Sequence, residues 1–133
     1  MKEKKTKIVL DADVINHFVR GGLLSLLPNI FPEFELIVLD IVKKELPVLI
    51  LSTLVKQMKE EKNIKEVVFG QNNIEKKEYF RLTATNGLGL GKGESACMVY
   101  CRYHHDVVGS SNTKDITQYC KEHNTLKKCF IKL

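Results

Sequence analysis

The chain has 133 residues, with 21 Lys and Arg against 16 Asp and Glu, for a formal net charge of +5. That length suits one domain able to bury its own core without disulfide or metal staples, and the apolar and charged fractions, 44% and 28%, are those of an ordinary globular chain. No apolar run approaches the ~20 residues that cross a bilayer, and the charged stretch Met1–Lys7 has no apolar h-region, so a cytoplasmic location with no membrane contact is expected.

Strands and helices alternate along the sequence. A β-branched run predicts a first strand over Ile8–Leu10, and the periodic segment Val14–Leu27 predicts a helix that Pro28 and Pro32 close. The pattern then gives a strand over Leu36–Leu39, a helical region over Ile41–Lys62 that Pro47 should end or kink, and a strand over Val67–Phe69. Helices over Asn73–Leu82, Glu94–His105 and Thr113–Asn124 alternate with strands over Val107–Gly109 and Cys129–Ile131. This alternation implies βαβ crossovers and a mainly parallel five-stranded sheet covered on both faces. The expected fold is a three-layer α/β/α sandwich over residues 1–133, with residues 1–7 as a basic N-terminal tail.

The excess positive charge and a pI near 9.0 favour an anionic partner, of which nucleic acid is the usual one. Much of it lies in Lys2–Lys7, with more at Lys127, Lys128 and Lys132; a solvated basic surface is the plainer explanation. In a reducing compartment Cys97, Cys101, Cys120 and Cys129 are expected as free thiols. Cys97-x3-Cys101-x2-His104-His105 and Cys120-x2-His123 bring soft ligands near one another in sequence. They lack the paired CxxC knuckles of structural zinc, however, and buried small hydrophobes explain the cysteines better.

Two nucleotide-binding motifs fail on spacing. A phosphate loop ending at Lys92 would need Gly where Asn86 stands and Ser or Thr where Gly93 stands. A dinucleotide fingerprint built on Gly89 and Gly91 meets Glu94 where its third glycine belongs. His17, His104, His105 and His123 have no recognisable Ser or Cys partner, so covalent catalysis has no candidate nucleophile.

The acidic residues are more informative. Asp11 follows three apolar strand residues directly, and ligands of α/β folds lie beyond the carboxyl ends of the parallel strands. Asp13 starts the next helix and serves equally as its N-cap. Glu45 follows the second strand by one helical turn, with Asp40 expected as a cap before it. Glu94 opens the helix after the glycines, and the polar loop Ser110-Ser111-Asn112-Thr113-Lys114-Asp115 follows the fourth strand. Several oxygen ligands converging suit a hard cation such as Mg²⁺ or Mn²⁺. Each also has a structural explanation: a turn for Asp11, a solvated helix position for Glu45, a favourable helix N-terminus for Glu94, and turn-building for Ser110 and Asn112.

Four blocks together resemble the acidic blocks of PIN domains: Val9-Leu10-Asp11-Ala12-Asp13-Val14-Ile15, the Val-x-x-Glu-Leu of Val42 to Leu46, the Gly-x-Gly-Glu-Ser-Ala of Gly91 to Ala96, and Ser110 to Ile116. Their order and the chain length are similar to single-domain VapC-type toxins. The resemblance implies a Mg²⁺- or Mn²⁺-dependent endoribonuclease that cuts phosphodiesters with a metal-activated water, acting as the toxin of a toxin–antitoxin pair. Asp11, Glu45 and Glu94 map onto the first three acidic positions, and Asn112 completes the set as catalytic and metal-holding residues, with Asp13, Ser110 and Asp115 as secondary candidates. Asn112 is the departure, since the family often carries Asp there; the lost charge weakens the case for a second metal ion. RNA is then the substrate, a protein antitoxin a partner, and a homodimer the implied assembly. Val48–Leu51 with Leu54 and Val55 are candidates for the interface. The rivals are a housekeeping RNA-processing nuclease, a PIN-like RNA-binding module weakened by Asn112, and a flavodoxin-like regulatory domain with an acidic pocket.

Overall fold

Five strands form the centre of the structure, a computed structural model that describes residues 5–60, 64–84, 89–111, 114–123 and 130–133. They are β1 (Lys7–Leu10), β2 (Glu35–Leu39), β3 (Ile64–Val67), β4 (Val107–Ser110) and β5 (Phe130–Lys132). They pair in the order β3-β2-β1-β4-β5, and every neighbouring pair is parallel. Ile8, Val9, Leu10, Leu36, Val38 and Leu39 have no exposed surface. Continuous apolar runs of this kind are what strands covered on both faces require.

The described helices are α1 (Ala12–Arg20), α2 (Leu27–Ile30, reached through a short 3-10 helix at Leu24–Leu26), α3 (Asp40–Glu45), α4 (Val48–Glu60), α5 (Asn73–Thr83), α6 (Lys92–His104) and α7 (Lys114–Glu122). From β1 the chain moves outward through β2 to β3, then returns past β1 to β4 and β5. Right-handed crossovers place the helices of the first half on one face and those of the second half on the other. Accordingly α1 packs on α4, and α6 packs on α5. The result is the expected α/β/α sandwich. Its strand order is not the 2-1-3-4-5 of flavodoxin-like sheets, which removes that rival.

Element boundaries differ from expectation for local reasons. The first predicted helix, Val14–Leu27, stops at Arg20 because Gly22 takes a left-handed φ of 70°, which ends a helix at little cost. The long region Ile41–Lys62 divides into α3 and α4 at Leu46-Pro47, where Leu46 is extended at ψ 138°. The strand predicted over Val67–Phe69 lies instead over Ile64–Val67, in register with Leu36–Leu39. Lys65 and Glu66 are held by ion pairs to neighbouring elements, Lys65 with Glu35 of β2 at 3.5 Å and Glu66 with Lys43 of α3 at 2.6 Å. Charged residues suit an edge strand and hide its period. The last strand is offset from Cys129–Ile131, and Cys129, Thr113 and Asn124 lie outside the described residues.

Cys97 and Cys101 are free thiols buried in the core, whereas Cys120 is disulfide-bonded, against the expectation for all four. That expectation rested on the compartment and not on where the fold carries each sulfur. No described helix is long and apolar enough to cross a membrane.

Candidate metal centre at the switch point of the sheet

The order in which strands are added reverses between β1 and β4, and in open α/β sheets the crevice at that point is where ligands bind. Asp11 lies directly past β1, its amide donating to the Gly109 carbonyl of β4 at 2.9 Å. Asp11 is 7% exposed, and its side chain caps α1, Oδ1 accepting from the Ala12 amide at 2.7 Å. Asp11 therefore holds the N-cap position that Asp13 was equally expected to fill, and Asp13 stands in the first turn. The buried Ser110 hydroxyl at the end of β4 donates to Asp11 Oδ2 at 3.5 Å. Burial raises the Asp11 pKa above the ordinary carboxylate value, and the charges of Asp13 and Glu45 push it further.

Glu45 ends α3 and reaches across to α6, where Oε1 accepts the Gly93 amide at 2.7 Å. Gly93 makes this approach feasible, since a Cβ there would stand 2.7 Å from Glu45 Oε2. Sequence reasoning gave Gly93 no role of its own; its place directly before Glu94, at the mouth of a helix facing another acidic residue, was the available signal.

Glu94 occupies the first turn of α6. Its pKa is pushed up to about 7, first by burial and then by the charge of Asp115, with Asp11 and Asp13 adding to the effect. Protonated Glu94 and Asp115 share a hydrogen bond. Asp115, rated in sequence as a weaker ligand than Asn112, is thus the charged residue that acts on Glu94 most strongly. Beneath the group, Cys97 Sγ lies 3.9 Å from the Leu10 carbonyl. Burial raises this thiol's pKa, and Asp11, Glu45 and Glu94 all contribute, so it is an inert wall and not a nucleophile.

Asp11, Asp13, Glu45, Glu94, Ser110 and Asp115 accordingly border one crevice, while Asn112 lies outside the described residues. Among the described residues, no three His, Cys, Asp or Glu side chains are drawn tightly enough together to hold a metal ion. This holds for the soft-ligand alternative too: Cys97 and Cys101 face the core, and His104 stacks on Tyr100 at 4.1 Å. The acidic donor set still matches a hard divalent cation in chemistry, because mutual repulsion and burial raise carboxyl pKa values that a cation would lower. Asp40 is neither cap nor ligand. It opens α3, and its Oδ1 accepts the Phe69 amide at 2.8 Å, tying down the turn after β3.

The fold is similar to that of a chain in a toxin–antitoxin complex from Klebsiella pneumoniae, with a TM-score of 0.53, 13% identity, and coverage of 83% of this chain and 90% of that one. At that identity the likeness shows the fold alone, a three-layer α/β/α sandwich on a parallel sheet. No protein-family model matches the sequence, and no curated protein matches it.

Proposed function

We propose that the chain is a divalent-cation-dependent endoribonuclease and the toxin of a toxin–antitoxin pair. The observation that carries this reading is Glu94, raised to about 7 by burial and by Asp115, Asp11 and Asp13 around it, at the switch point of the sheet. Such a concentration of like charge is what Mg²⁺ or Mn²⁺ would relieve. Asp11, Glu45 and Glu94 would hold the ion and Asn112 would complete the set, with Asp13, Ser110 and Asp115 at its border. When bound, the ion supplies Lewis acidity toward a phosphodiester and lowers the pKa of water.

The chain's own groups prepare that chemistry. The Gly93 amide holds Glu45, and the Ser110 hydroxyl with the Ala12 amide orients Asp11. Without the ion, Glu94 with a pKa of about 7 retains a proton near neutrality, and it would give that proton up on taking the cation. Basic side chains would guide the RNA through its phosphates. The likeness in fold to a chain of a toxin–antitoxin complex supports an antitoxin partner. Val48 and Leu49, 81% and 80% exposed at the start of α4, offer apolar surface for that partner or for a second copy of the chain. Leu54, by contrast, is spent in the chain's own core.

A second reading, an RNA-binding module without cleavage, is favoured by the loose spacing of the described carboxylates. Incubating a mixed RNA pool with wild type and with Asp11→Asn, in Mn²⁺, Mg²⁺ or EDTA, separates the two. The nuclease reading expects fragments from the wild type that vanish in EDTA and in the variant. A wild type that binds the RNA and leaves it whole at every cation concentration supports the binding module.

A further inference from the structure

An aromatic ladder borders the acidic crevice, and nothing in the proposed chemistry uses it. Phe69, just past β3, meets Tyr79 of α5 edge-on with ring centroids 5.5 Å apart. Tyr79 meets Phe80 in the same manner at 5.6 Å. The inner end is tied to the site, since the Phe69 amide is held by Asp40 at the start of the helix that carries Glu45. Burial raises the Tyr79 pKa, and the nearby Glu45 charge adds to it. The outer end is open: Phe80 leaves 63% of its surface in water.

The platform is rigid and positively charged. Leu90 donates to the Leu82 carbonyl at 2.9 Å and Gly89 to that of Ala84 at 3.1 Å, so the end of α5 is stitched to the segment that opens α6 with Gly93 and Glu94. Lys76 and Lys77 are exposed and stand four and three residues before Phe80, on its side of the helix. Arg81 is already paired with Glu78. An exposed ring one helical turn from two lysines, joined through Tyr79 to the Glu45 side of the acidic group, matches a nucleic-acid strand, whose bases present π faces and whose phosphates need cations.

We propose that Phe80, braced by Tyr79, is a stacking platform for an unpaired base of the RNA whose phosphodiester lies at the acidic crevice, with Lys76 and Lys77 taking the phosphates beyond it. This rests on the ribonuclease reading and adds that the substrate is single-stranded next to the cut. Every base has a π face, so the platform selects strandedness and not sequence.

The test is a titration of a short single-stranded RNA carrying a fluorescent adenine analogue, in EDTA so that only binding is read. The full chain is compared as wild type, Phe80→Ala, Phe80→Leu and Phe80→Trp. Wild type and Phe80→Trp should quench the fluorophore, while Phe80→Ala and Phe80→Leu should bind about tenfold more weakly and lose the quenching. Wild-type affinity in Phe80→Ala overturns the proposal. So does full recovery in Phe80→Leu, which would assign Phe80 to an apolar protein contact. Phe80-dependent binding by a chain that cuts no RNA rejects the nuclease reading and keeps the platform. Cleavage with the wild-type KM in Phe80→Ala does the reverse.

Discussion

Gly93 and Glu45 act as one feature carried by two helices. A Cβ at Gly93 would stand 2.9 Å from the Glu45 Cδ, and the part that must yield is the far end of a flexible side chain. Gly93→Ala should therefore fold as well as wild type, or better, because Ala is the stronger helix former by ~1 kcal/mol. Displacing the Glu45 carboxylate should meanwhile lower RNA cleavage by about 10- to 100-fold. Thermal unfolding and initial cleavage rates on the same preparations check both halves. Glu94 gives a pH signature. Its folded pKa of about 7 exceeds the ordinary 4.5, so the folded state holds the proton more tightly. Metal-free stability from this group is therefore full below pH 4.5 and lost as pH rises through 7. In EDTA, Glu94→Gln should gain stability relative to wild type between pH 5 and pH 8, read from urea midpoints. At this scale Asp11 was legible because it follows a strand and Glu94 because it opens a helix, while Glu45 was legible only through its place in the series of acidic blocks. The Gly93 contact and the pull of Asp115 were not, since both depend on how α6 and α7 approach the crevice.

Helices α5, α6 and α7 are joined by a charged knot that contains none of the expected site residues. Glu78 is 9% exposed and accepts Arg81 Nε at 2.6 Å, Arg102 Nη1 at 2.7 Å and the Tyr119 hydroxyl at 2.6 Å. These partners, Arg81 foremost, lower its pKa to about 2 against the penalty of burial. Glu78→Gln should cost about 2–3 kcal/mol, less than a fully buried pair because Arg81 is half exposed and screened. With the folded pKa below the ordinary 4.5, the Glu78 contribution is complete above pH 4.5 and lost as pH falls toward 2. The gap in urea midpoint between wild type and Glu78→Gln should narrow over that window. The sequence shows only the i,i+3 neighbour Arg81, an ordinary exposed-helix pairing; what makes Glu78 a knot is Arg102 and Tyr119, 24 and 41 residues away on other helices. Strands β1, β2 and β4 were legible for the opposite reason: each is a local apolar run that needs no partner to be read. Edge strand β3 was displaced in the reading because Lys65 and Glu66 find their complements, Glu35 and Lys43, only once β2 and α3 lie beside them.

The whole molecule explains why these acidic residues are neighbours despite separations of up to 104 positions between Asp11 and Asp115. Asp11 follows β1, Glu45 ends the short helix after β2, and Glu94 and Asp115 stand in the first turns of α6 and α7. The reversal of strand order between β1 and β4 opens the crevice there. Strand order depends on pairing between distant segments, so alternation of strands and helices gave the layers but not the order. The whole chain carries a net charge of +5 while this crevice is acidic, a combination suited to drawing in a polyanion and holding a cation. The central claim is that these carboxylates form one divalent-cation site. Calorimetric titration of Mn²⁺ into the metal-free chain at neutral pH, wild type against Glu94→Gln, tests it most directly. Saturable binding with proton release by the wild type, weakened at least ~10-fold in the variant, is the predicted result. A wild type that takes up no Mn²⁺, or a variant that binds it equally well, would contradict the assignment.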